Sequence, residues 1–137
     1  MGVGRQEDCG RIERVDVIKL VYCLARRQDV SAEKFASYWL HEHAPKVAER
    51  QKALRAARYV QSHTVEPEIN VLLQQSRGLE EPYDGVTEIW WESVEVQREA
   101  MATLDGSKAM EELLQDEATF IDFGRSRCFI TQEHSVF

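Results

Sequence analysis

Three ionisable side chains occupy positions where acid/base chemistry could take place: His43, His63 and Glu88. His43 ends an amphipathic segment that begins near Ser31, and Pro45 disfavours helical geometry at the residue before it. We therefore expect this imidazole at a helix C-terminus, where the macrodipole favours a positive charge. Such a group can act as a general acid or base, or pair with a ligand oxygen. The structural alternative is a capping histidine that bonds only to loop carbonyls.

The two other candidates lie within predicted strands. His63 shares its strand face with Tyr59 and Gln61, and a polar trio of this kind needs a wet cleft or a satisfied dimer interface. Glu88 stands between apolar neighbours, so its carboxylate needs a cation or several donors. Pairing with a histidine would form an acid/base couple. A salt bridge to an arginine such as Arg58 is the structural alternative.

Aromatic side chains could form the walls of an apolar pocket for a planar ligand. Phe35, Trp39 and His43 recur at i, i+4 and i+8, so they share one helical stripe. Large apolar residues at this spacing also build ordinary cores. The predicted substrate-binding set is Tyr38, Trp39, Tyr59, Tyr83, Trp90, Phe120 and Phe123.

The elements that must position these groups are predicted in the order β-α-β-β-α-β. Strand patterns cover residues 15–25, 58–65, 86–92 and 126–136. Helical patterns cover residues 31–45 with a second piece to about 56, then 94–104 and 108–122, interrupted at Asp105-Gly106. The long connection 66–82 is predicted to hold one short helix around residues 69–75. Four such strands pair antiparallel with both helices on one face, a ferredoxin-like α+β fold.

This fold would leave one face of the sheet bare, although the first and third strands are apolar on both faces. A homodimer with its sheets face to face would cover that surface as a dimeric α+β barrel. The cleft between each sheet and its own helices would remain free for a ligand. Residues 1–14 are polar and charged and are predicted to form a flexible arm, and residues 15–137 one domain.

Composition narrows the class of binding partner and the expected cellular compartment. The net charge of −7 argues against nucleic acid and anionic membrane as partners. No apolar run approaches the roughly 20 residues that span a bilayer. The three scattered cysteines lack metal or disulfide spacing, and with the polar N-terminal stretch they predict a reducing, cytoplasmic setting. No metal cluster or nucleotide motif is present in the sequence, so we expect no metal and no cofactor; haem on His43 is the alternative.

Four different sequence blocks occur in order within the stretch from about residue 17 to residue 136. They are Phe35-x-x-Tyr38-Trp39 with His43-Ala44-Pro45, Tyr83-Asp84-Gly85-Val86-x-Glu88-Ile89-Trp90, Asp116-Glu117-x-x-Phe120-Ile121-Asp122, and Glu133-His134. Together they resemble the EthD family, which belongs to the dimeric α+β barrel superfamily. The resemblance implies the fold and the homodimer described above. Similar members are associated with decarboxylation or cyclisation of aromatic polyketides.

The residues and the resemblance together predict a protein that binds a small, mostly apolar or aromatic carbonyl compound. His43, with His63 or Glu88, would perform cofactor-free acid/base chemistry on it: decarboxylation, cyclisation, dehydration or isomerisation. The protein would then be a cofactor-independent lyase, isomerase or cyclase. One alternative is a non-catalytic carrier or accessory protein for a neighbouring oxygenase. Another is a structural dimer whose cleft is filled.

Overall fold

A computed structural model describes residues 16–137, so the predicted arm at residues 1–14 lies outside the described part of the chain. Four strands form one sheet: β1 (Ile18–Leu24), β2 (Arg58–His63), β3 (Gly85–Trp91) and β4 (Arg127–Thr131). Their spatial order is β2-β3-β1-β4, and every neighbouring pair is antiparallel. The predicted ferredoxin-like α+β fold is confirmed.

The helices are α1 (Ala32–Tyr38), α2 (Ala44–Glu49), α3 (Gln51–Leu54), α4 (Pro67–Arg77), α5 (Val94–Ala102) and α6 (Leu104–Glu117). A π-helical turn, Trp39–His43, joins α1 to α2, and a 3₁₀ turn, Phe123–Arg125, precedes β4. The short helix predicted in the long connection is confirmed as α4. None of these helices in residues 16–137 is both long and apolar enough to cross a membrane.

The core lies between one face of the sheet and the helices. Two buried clusters fill it: Leu24, Phe35, Trp39, Phe120 and Ile121 form the first, and Val47, Leu54, Ala109 and Leu113 form the second. Trp91 is fully buried, and its indole N–H donates to the carbonyl of Leu54 at 2.8 Å. This bond fixes the end of α3 on β3, so the helical segment that carries His43 is anchored to the sheet at its C-terminal end.

The expected helix end at His43 is wrong. The backbone remains helical through Ala44 (φ −56°, ψ −43°), and the N–H of Ala44 donates to the carbonyl of Trp39, five residues earlier. This wider turn lets the chain pass into α2, where Pro45 occupies the first turn and needs no N–H donor. His43 is therefore held inside a continuous helical segment, and the macrodipole argument for its charge does not apply.

The break between the last two helices lies at Thr103 and not at Asp105-Gly106. The Thr103 hydroxyl accepts a hydrogen bond from the N–H of Gly106 at 2.9 Å and caps α6. A Cβ at position 106 would lie 1.9 Å from the carbonyl oxygen of Ala100. The glycine is needed because α6 starts in contact with the end of α5, and it does not interrupt the helix.

Gly85, at the start of β3, lies against the ring of Trp39. A Cβ there would lie 2.3 Å from that ring. We expect Gly85→Ala to lower the free energy of unfolding by about 1–3 kcal/mol, because the indole must move out of a packed core. Urea denaturation measures this loss. Gly124→Ala is the matched control, since its Cβ would meet only Asp122 at 3.5 Å; equal stability of the two variants would contradict the prediction.

Candidate functional site

A cavity of about 280 Å³ lies between the sheet and the helices. All four strands reach it, and the opposite wall is formed by the segment from Trp39 to Leu54 and by α6. The walls are largely hydrocarbon, and no lysine or arginine of the described residues lines them. The polar side chains that reach the cavity are Tyr22, His43, Tyr59, Thr87, Glu117 and Cys128. Such a space suits a small, mostly apolar molecule that is oriented by few polar contacts.

His43 is buried in the cavity wall, where the π-helical turn places it. Its Nδ1 lies 2.7 Å from Oδ2 of Asp116, near the end of α6. An ionised carboxylate can only accept hydrogen bonds, so Nδ1 carries the hydrogen and Nε2 has a free lone pair. Nε2 is thus the ring nitrogen left to meet a ligand.

Asp116 holds three donors at once. Besides His43, it accepts hydrogen bonds from the hydroxyl of Tyr38 and from Nζ of Lys46 at 2.7 Å. Burial alone would raise the pKa of Asp116, but the hydrogen bonds from Lys46, Tyr38 and His43 hold this pKa below its ordinary value. The carboxylate stays ionised and fixes both the orientation and the tautomer of the imidazole.

Two opposing effects act on His43. Burial lowers the pKa of His43, and the hydrogen bond and charge of Asp116 oppose this only in part. The nearby charges of Lys46 and Arg50 lower it further. The imidazole is therefore neutral at neutral pH and able to accept a proton. An edge contact with Phe120, at 5.2 Å between ring centroids, helps to hold the ring.

We expect Asp116→Asn to lower the pKa of His43 further, because the substitution removes the charge that opposes the effect of burial. An NMR titration of the His43 ring proton measures this pKa. The titration of His63, whose ring nitrogen bonds to Gln61 and not to Asp116, serves as the internal control. A His43 pKa that is unchanged or raised would show that Asp116 does not act electrostatically on the imidazole.

Glu117, the last residue of α6, reaches the same cavity. Burial raises the pKa of Glu117 to about 7, against the effect of a hydrogen bond from the Tyr22 hydroxyl, and the charge of Asp116 adds to the rise. Tyr22 and Cys128 are cross-strand neighbours in β1 and β4. Burial raises the pKa of both and that of Cys128 to about 11, so these two groups are neutral at physiological pH.

His63 faces the helices but does not line the cavity. Its ring stacks on Trp39 with 4.2 Å between centroids, and its Nε2 lies 2.8 Å from Oε1 of Gln61. Burial lowers the pKa of His63. The side chain therefore reaches the site through Trp39 and through Gln61, which donates hydrogen bonds to the carbonyl of Trp39 and to the hydroxyl of Tyr59.

Glu88 lies on the opposite face of the sheet. Its neighbours Thr87 and Ile89 line the cavity, and successive strand residues point to opposite faces. Its Oε2 is 2.6 Å from Nζ of Lys19. The expected pairing of Glu88 with a histidine is wrong, and Lys19 takes the place of the arginine that we considered as the structural alternative.

Four of the predicted aromatic residues lie at or beside the site. Trp39 and Tyr59 line the cavity, and the Tyr59 hydroxyl accepts a hydrogen bond from Gln61 at 2.8 Å. Tyr38 contacts Asp116, and Phe120 packs in the core against Tyr38, at 5.1 Å between centroids. The structure brings these side chains together around His43.

The other three aromatic residues lie elsewhere. Trp90 is on the open face of the sheet, where its indole N–H donates to Glu133 at 2.8 Å. Tyr83 and Phe123 are 38% and 44% exposed and lie in loops away from the cavity. Tyr83 precedes β3 and Phe123 begins the 3₁₀ turn before β4, and neither side chain lines the cavity.

Sequence reasoning missed the roles of Asp116 and Glu117. Both stand in the third of the blocks that resemble the EthD family, as neighbouring acids at the end of an amphipathic helix. That position was the available signal, but it does not show which side chain they meet. Among residues 16–137, no group of three or more histidine, cysteine or acidic side chains is arranged to hold a metal ion.

Comparisons with known proteins bear on the family. A family model described as the EthD domain matches residues 27–124. An ethyl tert-butyl ether D (EthD) family protein from Bacillus halodurans C-125 has a similar solved structure, with 14% identity and a TM-score of 0.56 over 86% of this chain and 99% of that chain. An EthD-like protein from Ralstonia eutropha JMP134 gives 16% identity and 0.54 over 85% and 91%.

A mutant of SnoaB, described as a cofactor-independent oxygenase from Streptomyces nogalater, gives 12% identity and a TM-score of 0.51 over 88% of this chain and 96% of that chain. At these identities the structural likeness shows the fold alone. A search of curated proteins finds no significant match. The family model spans well over half of the chain and carries the conclusion: this protein belongs to the EthD family.

Proposed function

We propose that this EthD-family protein binds a small, mostly apolar or aromatic carbonyl compound in the cavity and moves a proton on it with His43, without a cofactor. The observation that carries the proposal is the His43–Asp116 pair at the wall of an apolar cavity, with 2.7 Å between Nδ1 and Oδ2. A neutral imidazole held by an ionised carboxylate is the arrangement that a general base requires.

In this proposal Nε2 of His43 removes a proton from the carbon next to the carbonyl group. The imidazolium that forms is stabilised by Asp116, and the electron pair left on the ligand becomes an enolate. Isomerisation, dehydration and cyclisation of carbonyl compounds all pass through such a species. The apolar walls exclude water, which strengthens the electrostatic interaction between the imidazolium and the carboxylate.

The absence of a cofactor from the proposed chemistry has two supports. An enolisation needs a base and an oriented carbonyl group, and both fit a cavity of about 280 Å³. SnoaB, which shares the fold, is described as cofactor-independent. The proposed reaction class is accordingly that of a lyase, isomerase or cyclase.

We also propose that the protein forms a homodimer through the sheet face that its own helices leave open. That face presents Val21, Trp90 and Phe129, and Phe129 is 49% exposed. The Lys19–Glu88 ion pair lies among them. A second copy placed face to face would cover this surface, and sedimentation at micromolar concentration would show whether the dimer forms.

Hydrogen–deuterium exchange tests the proton transfer. The probe is 2-acetylnaphthalene, an aromatic ketone whose methyl protons can enolise, incubated with the full chain in D₂O and followed by proton NMR. Loss of the methyl signal faster than in buffer, with the ring signals unchanged, would support a base in the cavity. A ketone that binds but exchanges only at the buffer rate would favour the carrier function instead.

A further inference from the structure

The carboxyl group of Glu117 has no part in the proton transfer proposed for His43. It reaches an apolar cavity that no lysine or arginine of residues 16–137 lines. Its neighbour Asp116 binds three donors, His43, Tyr38 and Lys46. An ionised carboxylate without a cation is costly to bury, so this position is suited to the neutral acid.

The groups that face Glu117 come from every side of the cavity. Tyr22 of β1 donates a hydrogen bond to it, and Tyr59 of β2 and Cys128 of β4 lie on the sheet wall. His43 lies on the helical wall and Asp116 precedes it in α6. The first four are neutral near neutral pH and the last is an anion, so none of them brings a positive charge to an ionised Glu117. Consistently, its pKa rises to about 7.

We propose that Glu117 determines the class of ligand: its neutral carboxyl group donates a hydrogen bond to the carbonyl oxygen, so the cavity takes uncharged ketones and rejects carboxylates of the same shape. The Tyr22 hydroxyl donates to one oxygen of the Glu117 carboxyl group, and the O–H of that carboxyl group is left to donate to the ligand. The inference rests on the proposed function, because it assumes that the ligand occupies this cavity, and it adds what that ligand must be. A carboxylate ligand would meet an acidic side chain and no cation.

Calorimetric titration with three naphthalenes of similar size tests the inference: 2-acetylnaphthalene, 2-ethylnaphthalene and 2-naphthoate. For the wild-type chain we expect the ketone to bind roughly tenfold more tightly at pH 6 than at pH 8.5, because Glu117 loses the donated proton between them. The ethyl compound should bind equally at both pH values. The naphthoate should bind more weakly than the ketone at either pH.

Two variants separate a donor from a merely structural side chain. Glu117→Gln keeps a donor at every pH, so it should bind the ketone with the same affinity at pH 6 and pH 8.5. Glu112→Gln is the matched control, because Glu112 lies in the same helix but is exposed and pairs with Arg50 at 3.1 Å. This variant should keep the wild-type dependence on pH.

The outcomes distinguish the two proposals. Ketone affinity that does not change with pH in the wild type, or that changes equally in Glu117→Gln, would overturn the role of Glu117. Tighter binding of the naphthoate than of the ketone would also overturn it, while leaving His43 and its exchange reaction untouched. Failure of both the ketone and the ethyl compound to bind would instead overturn the proposed function itself.

Discussion

Replacing His43 with alanine should slow deuterium exchange into 2-acetylnaphthalene by about 10²–10⁴-fold, the usual contribution of a positioned general base. The rate of methyl exchange in D₂O, followed by NMR at saturating ketone, measures this loss. Calorimetric affinity for the ketone should change far less, because the apolar walls and not the imidazole provide most of the contact area. A fall in rate without a matching fall in affinity is the signature of a group that acts on the reacting atoms.

His41→Ala provides the matched control for this experiment. His41 lies two residues earlier in the same π-helical turn and is exposed. The His41→Ala variant should catalyse deuterium exchange into the ketone at the wild-type rate. In His43→Ala the Asp116 carboxylate keeps Tyr38 and Lys46 as donors, so the variant should still fold. A folded His43→Ala chain with the full exchange rate would show that another group is the base.

Replacing Glu117 with glutamine should stabilise the protein at high pH. The folded-state pKa of about 7 lies above the ordinary value of 4.5, so the folded state holds its proton more tightly than the unfolded state. The contribution of this carboxyl group to the free energy of unfolding is therefore fully present below its ordinary pKa and is lost as the pH rises through about 7. The full loss is about 3 kcal/mol, and the glutamine variant does not show it because its side chain cannot ionise.

Urea denaturation at pH 5 and pH 8.5 measures this difference. Glu117→Gln should have a higher free energy of unfolding than wild type, and this excess should be larger at pH 8.5 than at pH 5 by about 2–3 kcal/mol. Glu112→Gln should show no such change, because its carboxylate is already exposed and paired with Arg50. Parallel pH profiles for wild type and Glu117→Gln would mean that the Glu117 carboxylate is solvated in the folded protein.

These predictions depend on a contrast between two neighbouring acids. Asp116 accepts hydrogen bonds from three donors and is stabilised as an anion, whereas Glu117 reaches a hydrocarbon wall with one hydroxyl partner and no cation. Neighbouring titratable groups with pKa values pushed in opposite directions are typical of sites that handle protons. One turn of α6 thus supplies the orienting anion for His43 and a neutral acid for the ligand.

Much of the fold could be predicted because its evidence is local. Apolar and β-branched runs or alternating residues mark the strands, and the period of two placed Glu88 with Trp90 on one face and Tyr59 with His63 on another. The structure confirms these faces. The helix in the long connection was also predictable, since it begins with proline and ends with glycine, both of which are favoured at those positions.

The helical path around His43 was not predictable from these rules. Pro45 marks a helix boundary locally, but the π-helical turn keeps the chain helical, and the buried indole of Trp39 against Gly85 helps to hold it there. That packing joins residues 46 positions apart in the chain. A rule that considers only near neighbours cannot include it.

The sequence by itself determined the family, the order of elements and the presence of His43 on an aromatic stripe. Only the tertiary structure decided that Asp116, 73 residues away, orients that imidazole, that Lys19 and not a histidine neutralises Glu88, and that Glu117 faces the cavity. The reason is physical. Periodicity encodes which way a side chain points from its own element, whereas its partner, its burial and its pKa depend on which elements pack against it.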